Sequence, residues 1–121
     1  MAERRAEPQA IAAAVSELAR GWVRAGYCRP HQILVLTPRS RSKSVLADCE
    51  TVGDWPLVDY DNRGPDAIAY LSVNRAKGLD SLAVILAGVR PFDQITEPQE
   101  QMDFFLGASR ARQLLGVVAT E

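Results

Sequence analysis

Long hydrophobic runs, cysteine and histidine are scarce in this sequence of 121 residues, and each scarcity excludes a class of protein. No apolar run approaches the roughly 20 residues that cross a bilayer, and the first residues lack a secretory or transit pattern. We therefore expect a cytoplasmic protein with no membrane partner. The cysteines, Cys28 and Cys49, and the lone His31 lack metal-ligand spacing. We therefore predict reduced, partly buried thiols and no metal site.

A phosphate loop is also missing. Such a loop needs the pattern GxxxxGK[ST] between a strand and a helix, so that backbone N–H groups surround the phosphates. Gly21 and Gly26 have the glycine spacing, but Tyr27 and Cys28 follow them. No apolar run ends in an Asp-Glu pair that could hold Mg²⁺. The chain is therefore not expected to catalyse a reaction by itself.

The composition is that of one ordinary globular domain. Hydrophobic residues make up 47% of the sequence and charged residues 24%, and a chain of this length buries a single core and little more. The formal net charge is −1, so bulk electrostatics do not predict nucleic-acid binding. Any such contact must come from a local patch.

Hydrophobic periodicity predicts an α/β domain. Ile11, Val15, Leu18 and Trp22 repeat at helical spacing and predict a helix over about residues 8–25. Continuous apolar runs predict strands buried on both faces, as in parallel sheets, at residues 32–37, 68–73, 82–87 and 114–118. The other predicted elements are a short helix over 40–49, an edge strand over 57–60 and a helix over 99–112. We place Met102, Phe105, Leu106 and Ser109 on one face of that last helix. This order favours a mostly parallel sheet with flanking helices, ordered over about residues 8–118.

Three polar segments could carry chemistry. The first, residues 72–80, follows a predicted buried strand, and open α/β sheets bind ligands outside the carboxyl ends of their strands. Gly78 permits a tight turn, Asp80 can accept a hydrogen bond from a ribose hydroxyl, and Lys77 can meet a phosphate. A solvated loop that ends at the glycine is the alternative.

The other two segments are rich in arginine. In residues 109–112, Arg110 can act as an arginine finger, a guanidinium aimed at the γ-phosphate of a nucleotide that another domain holds. The alternative is a cation favoured by the helix dipole. Residues 39–43 follow a strand and open a predicted helix, whose N-terminus favours anions. A solvated cap with a serine at the N-cap is the alternative there.

The order and spacing of these segments resemble those of UvrD/Rep-type superfamily 1 helicases. Residues 68–80, IAYLSVNRAKGLD, resemble motif V, in which a strand leads into a [HN]-x-A-K-G-x-[ED] loop. Residues 100–112, EQMDFFLGASRAR, resemble motif VI, whose core is aromatic-V-[AG]-x-[ST]-R-A-[RE], and residues 33–46 resemble motif IV. The resemblance runs from about Ile11 onward. It implies the second motor domain of such a helicase, with a RecA-like, P-loop NTPase-like fold that lacks its own phosphate loop.

The resemblance also implies roles for individual residues. Arg110 matches the catalytic arginine finger of motif VI, which reaches the γ-phosphate across the cleft between two motor domains. Asp80, which stands where Glu is usual, matches the sugar-contacting acid of motif V. The remaining nucleotide contacts fall on Lys77, Gly78 and Arg39, with Pro38 at the position where the family has its motif IV arginine. Nucleic-acid contacts fall on Ser72, Asn74, Arg75 and Arg41.

The implied partners are an N-terminal RecA-like ATPase domain of the same polypeptide and single-stranded DNA. ATP and Mg²⁺ are implied only together with that partner domain, and we expect the full protein to extend N-terminally. Fewer than thirty residues separate Leu46 from Ser72, which leaves no room for the helical accessory domain of the large family members. The alternative function is a non-catalytic nucleic-acid or protein binding module derived from such a domain. A third interpretation is an unrelated α/β domain with chance motifs.

Overall fold

Seven strands form one sheet in the computed structural model, which describes residues 2–40 and 43–120. In chain order they are β1 (Ala2–Ala6), β2 (Ile33–Thr37), β3 (Thr51–Val52), β4 (Trp55–Asp59), β5 (Ile68–Ser72), β6 (Ser81–Val89) and β7 (Ala111–Thr120). Their spatial order is β1-β7-β6-β2-β5-β4-β3. Neighbouring strands run parallel except β3 and β4, which are antiparallel. The predicted α/β fold with a mostly parallel sheet is confirmed, and it is consistent with a RecA-like fold.

One long helix covers each face of the sheet. The first, α1 (Ile11–Arg24), follows a 3-10 turn at Pro8–Ala10 and buries its apolar stripe against β6 and β7. The second, α2 (Pro98–Ala108), packs on the opposite face. Because strand side chains alternate between faces, Ile33 and Val35 join the core under α1, and Leu34 and Leu36 join the core under α2. Both faces are covered, which explains why the strands are continuously apolar.

The strand β6 lies at the centre of this packing, hydrogen-bonded to β2 on one side and β7 on the other. Its middle residues have no exposed surface, from Ala83 through Val84, Ile85 and Leu86 to Ala87. Burying each of the larger aliphatic side chains stabilises the fold by about 1.5–3 kcal/mol. The burial of β6 therefore makes a large contribution to the stability of the sheet.

The first helix and the four buried strands were predicted correctly, with ends that differ by a few residues. Two strands were missed. The sheet includes β1 at its edge, paired with β7, although the predicted ordered core began at about residue 8. It also includes β3, whose two residues are too few to show a pattern. The predicted edge strand exists as β4, but its edge position is wrong because β3 pairs outside it.

The helix predicted over residues 40–49 is wrong in its described part, since residues 43–49 form turns that still bury Leu46. The Ser44 hydroxyl accepts a hydrogen bond from the Leu46 N–H at 3.1 Å. Such a local bond offers the backbone an alternative to the helical pattern.

The predicted end of α2 is also wrong, and its predicted apolar face is only partly buried. The helix ends at Ala108, and Ala111 already begins β7. Met102 and Phe105 are each 56% exposed, whereas Phe104 and Gly107 face the sheet. A Cβ at Gly107 would lie 2.8 Å from Leu86 Cδ1, so the missing side chain lets the helix approach β6 closely. Apolar periodicity does not register a contact made by a glycine, so the contact of Gly107 with β6 could not be predicted.

Within the described residues, no helix is both long and apolar enough to cross a membrane.

The contact of α1 with β7 yields a stability test. A Cβ at Gly116 would lie 3.0 Å from Leu18 Cδ1 and 3.1 Å from the Trp22 ring. Because the rigid ring cannot yield easily, Gly116→Ala should lower the free energy of unfolding by about 1–3 kcal/mol. Urea denaturation measures the change. The matched control is Gly64→Ala, whose Cβ would meet no atom within 4 Å and which should change stability by less than about 0.5 kcal/mol. Equal effects of the two substitutions would contradict this packing.

Candidate functional site at the amino edge of the sheet

The amino edge of the sheet brings Asp80 and Arg110 together. Asp80 directly precedes β6, Arg110 directly precedes β7, and these two strands are parallel neighbours. The Ser81 N–H donates to the Arg110 carbonyl oxygen at 2.9 Å, which fixes the two strand starts side by side. Arg110 Nη1 donates to the Leu79 carbonyl oxygen at 3.3 Å, and Arg112 Nε lies 3.9 Å from Asp80 Oδ1. An acid and two guanidinium groups therefore share this edge.

The charge of Arg110 is not neutralised by an acid within the part of the chain that the structure describes. Its Nε and Nη2 donate to the Ser109 hydroxyl at 3.3 and 3.0 Å. These neutral partners orient the guanidinium without cancelling its charge, and it is only half-buried. The neighbouring Asp80–Arg112 pair is long and its side chains are 64% and 60% exposed, so it contributes little to stability. The edge can thus accept an anion at Arg110 and a hydroxyl donor at Asp80.

Residues 72–80 run from the carboxyl edge of the sheet to its amino edge, so they do not all lie at one edge. Ser72 ends β5 at the carboxyl edge, and the chain returns through a 3-10 helix, Val73–Ala76, to start β6 at the amino edge. The buried Val73 and Ala76 attach this crossover to the core under α2. Gly78 has a φ of 81°, so its predicted role as a turn glycine is confirmed. Lys77 and Gly78 are exposed on the return path.

Arg75, predicted to contact nucleic acid, is held by two carboxylates. Its Nη1 lies 3.1 Å from Oδ1 of Asp59, the last residue of β4, and its Nη2 lies 3.2 Å from Oδ2 of Asp61 in the following turn. The three side chains carry a net charge of −1. Asn74 beside it is exposed, and Ser72 is half-buried. A phosphate approaching Arg75 therefore meets two acids as well as a cation.

Arg39 lies at the carboxyl edge, opposite to Arg110. It lines a cavity of about 200 Å³ with Gly88 at the far end of β6, and the Thr37 and Tyr70 hydroxyls donate to its carbonyl oxygen at 2.6 and 2.8 Å. The length of β6 from Ser81 to Gly88, about 23 Å at the usual rise per residue, separates the two arginines. One phosphate group therefore does not contact both. Arg41, the remaining predicted nucleic-acid contact, lies outside the described residues.

A cavity of about 310 Å³ adjoins Asp80 at the amino edge of the sheet. Its lining includes three residues to which no ligand was assigned from the sequence, His31, Tyr60 and Arg63. A 3-10 turn, Tyr60–Asn62, follows β4, and no turn pattern indicates that the Arg63 guanidinium lies over the Tyr60 ring. The turn lies near Asp80 because of the tertiary fold, which no local sequence pattern shows. The one sequence feature that indicates the contact of Tyr60 with Arg63 is their spacing of three residues.

Both cysteines are at least partly buried, as predicted. Burial raises the pKa of the Cys28 thiol, so little of it is thiolate at neutral pH. The Cys49 thiol donates to the Thr51 carbonyl oxygen at 2.9 Å. Across residues 2–40 and 43–120, no group of three or more His, Cys, Asp or Glu side chains is arranged to hold a metal ion.

Comparison with solved structures shows a similar fold in the C-terminal domain of a possible DNA helicase from Lactobacillus plantarum WCFS1. The TM-score is 0.63 and the sequence identity 21%, over 98% of this chain and 73% of that one. No family model matches the sequence, and no curated protein matches it. The likeness shows that this chain has the fold of that domain: a mostly parallel sheet with a helix on each face.

Proposed function

We propose that this chain is the second motor domain of an ATP-dependent DNA helicase of UvrD/Rep-type superfamily 1. The observation that carries the proposal is the placement of Asp80 and Arg110 at the starts of neighbouring strands, at one edge of the sheet. The two come from segments 30 residues apart that resemble separate helicase motifs. One bound nucleotide could contact both residues only if they lie at the same edge of the sheet, as they do. The similar fold of a possible helicase C-terminal domain supports the same proposal.

In this proposal the chain forms one wall of a cleft, and an N-terminal domain of the same polypeptide forms the other. That domain would hold ATP and Mg²⁺, and ATP supplies the phosphoryl group whose transfer drives the motor. Arg110 stabilises the negative charge that develops on the γ-phosphate. Its planar fork of N–H donors suits this task, and the Ser109 and Leu79 oxygens hold it in place.

Lys77, Gly78 and Asp80 form the second part of the proposed nucleotide contact. Asp80 accepts hydrogen bonds from the ribose hydroxyls, and its loose ion pair with Arg112 leaves the carboxylate open to them. Gly78 makes the turn that brings the chain back to β6, and the exposed Lys77 offers a cation on the same turn. Arg39 is not assigned to this γ-phosphate, because it lies at the other edge of the sheet.

Single-stranded DNA is the proposed second ligand, at the carboxyl end of β5. Ser72, Asn74 and Arg75 begin the same crossover that ends at Asp80. A strand that displaces Asp59 and Asp61 from Arg75 would pull on this crossover, and a shift of the crossover would move Asp80. The short segment between the two edges is therefore a physical route by which DNA binding and nucleotide binding affect each other.

The arginine-finger assignment predicts a large catalytic effect without a stability effect. In the longest upstream-extended chain that the source encodes, Arg110→Ala should lower the turnover of DNA-stimulated ATP hydrolysis by about 10³–10⁵. The melting temperature should change little, because the side chain bonds only to neutral partners and none of its bonds is fully buried. Arg110→Lys should also fail, since it keeps the charge and loses the fork.

The control is Arg24→Ala, which removes an exposed cation at the end of α1 on the other face of the sheet. It should leave turnover unchanged. Near-normal turnover of Arg110→Ala would contradict the assignment. If the long chain hydrolyses no ATP at all, the motor proposal fails and a helicase-derived binding module is the better description.

The nucleic-acid assignment predicts that the acids around Arg75 weaken DNA binding. Asp61→Asn should raise the affinity of this chain for a single-stranded oligonucleotide about twofold, as expected for removing one exposed opposing charge. Fluorescence anisotropy at low salt measures the change, which should shrink as salt screens the charges. Asp54→Asn is the matched control, since Asp54 pairs with Arg20 of α1, away from Arg75. Equal affinities of the two variants would contradict the proposed DNA contact.

A further inference from the structure

The cavity beside Asp80 has an apolar floor and polar walls. Leu34 and Ala69, which belong to the core under α2, are among its lining residues. Tyr60 and Arg63 line it from the turn after β4, and Asp80 and Arg112 line it from the starts of β6 and β7, with His31 and Gln32 also in the lining. A small cleft with an apolar surface and a few converging polar groups is the usual form of a small-molecule site.

Arg63 presents an unusually fixed flat surface. Its guanidinium carbon lies 4.0 Å from the centre of the Tyr60 ring, and its Nη1 donates to the Tyr60 carbonyl oxygen at 2.8 Å. One face of the plane is thus covered by an aromatic ring, and the residue is otherwise exposed. Among the described residues, no carboxylate pairs with it. A guanidinium plane held in this way is a stacking surface for a nucleobase.

The remaining wall offers the hydrogen bonds that a nucleoside needs. The Asp80 carboxylate is 64% exposed and can accept from ribose hydroxyls. The Gln32 side-chain oxygen accepts from the Arg29 N–H at 2.8 Å, which fixes the amide and leaves its N–H groups to a ligand. The Ser81 hydroxyl donates to the Gln32 carbonyl oxygen at 2.9 Å and holds the two segments together.

We propose that this cavity is a nucleoside site, in which a base stacks on Arg63 while Asp80 accepts hydrogen bonds from the sugar. The proposal rests on the proposed function for the role of Asp80, and it adds a base contact from the turn after β4. The nucleoside can come from free ATP or from one nucleotide of a single strand. Both present a base that can stack on Arg63, but only the free nucleotide also offers two ribose hydroxyls to Asp80, because an internal nucleotide of single-stranded DNA has no free sugar hydroxyl.

The test is a titration of this chain with AMP, followed by backbone amide NMR. The expected result is a set of shifts centred on Gln32, Ala69 and Ser81. Arg63→Ala should weaken AMP binding about tenfold, the factor that loss of one base-stacking contact gives. Arg63→Lys should weaken it as well, because the lysine keeps the charge but not the plane. The control Arg24→Ala removes an equal charge from the opposite face and should bind AMP normally.

Two further ligands distinguish a free nucleotide from a nucleotide of a strand, and binding through the base from binding through the sugar and phosphate. Ribose 5-phosphate lacks the base, so it should bind more weakly than AMP and be insensitive to Arg63→Ala. A single-stranded oligonucleotide that shifts the same amides more strongly than AMP would identify a strand nucleotide as the occupant, and weaker shifts would identify the free nucleotide. AMP shifts elsewhere on the chain, or equal binding by the Arg63→Ala and Arg24→Ala variants, would overturn the nucleoside site.

The nucleoside site and the motor function can fail independently of each other. Loss of ATP hydrolysis in Arg110→Ala together with normal AMP binding in Arg63→Ala would overturn the nucleoside site and leave the motor proposal intact. Normal hydrolysis in Arg110→Ala together with weakened AMP binding in Arg63→Ala would overturn the motor proposal alone.

Discussion

The parallel pairing of β6 with β2 on one side and β7 on the other determines most of what this molecule can do. Because the strands run in one direction, the sheet has an amino edge and a carboxyl edge, each with its own set of loops. The burial of β6 by a helix on each face prevents it from shifting along its neighbours, since a slip of one residue would exchange the side chains of the two cores. Asp80 and Arg110 are adjacent only because β6 and β7 begin side by side.

The connections between the parallel strands at these edges are short. The chain returns from the end of β5 to the start of β6 within residues 73–80, so the crossover must lie close against the sheet, and it does so by burying Val73 and Ala76. The close approach of α2 at Gly107 delivers its last turn to the start of β7. Each polar residue at the amino edge is therefore attached directly to a buried element. Such attachment favours a site that is preformed rather than assembled on binding.

The sequence was most informative where burial was complete. The runs at β2, β5, β6 and β7 are apolar because both faces are covered, and the stripe of α1 is regular, so these elements could be predicted. The missed strands β1 and β3 lie at the two sheet edges, where only a few residues are buried. The contact of α2 with β6 could not be predicted, because a glycine, Gly107, makes the closest approach.

For the candidate site, the sequence predicted Asp80, Gly78 and Arg110 through their resemblance to helicase motifs, and the structure brings Asp80 and Arg110 together. It could not predict that Asp59 and Asp61 hold Arg75, or that Arg39 lies at the other edge, because these facts depend on strand order. Nor could it predict that the turn with Tyr60 and Arg63 faces Asp80 across a cavity. Strand order and loop placement are tertiary properties, and no local pattern encodes them.

The most direct test of the account is a crystal structure of the longer, upstream-extended chain with a non-hydrolysable ATP analogue and Mg²⁺. The account predicts the Arg110 guanidinium within hydrogen-bonding distance of the γ-phosphate and the Asp80 carboxylate within hydrogen-bonding distance of the ribose. A bound nucleotide that neither residue contacts, with the amino edge of this sheet facing solvent, would contradict it.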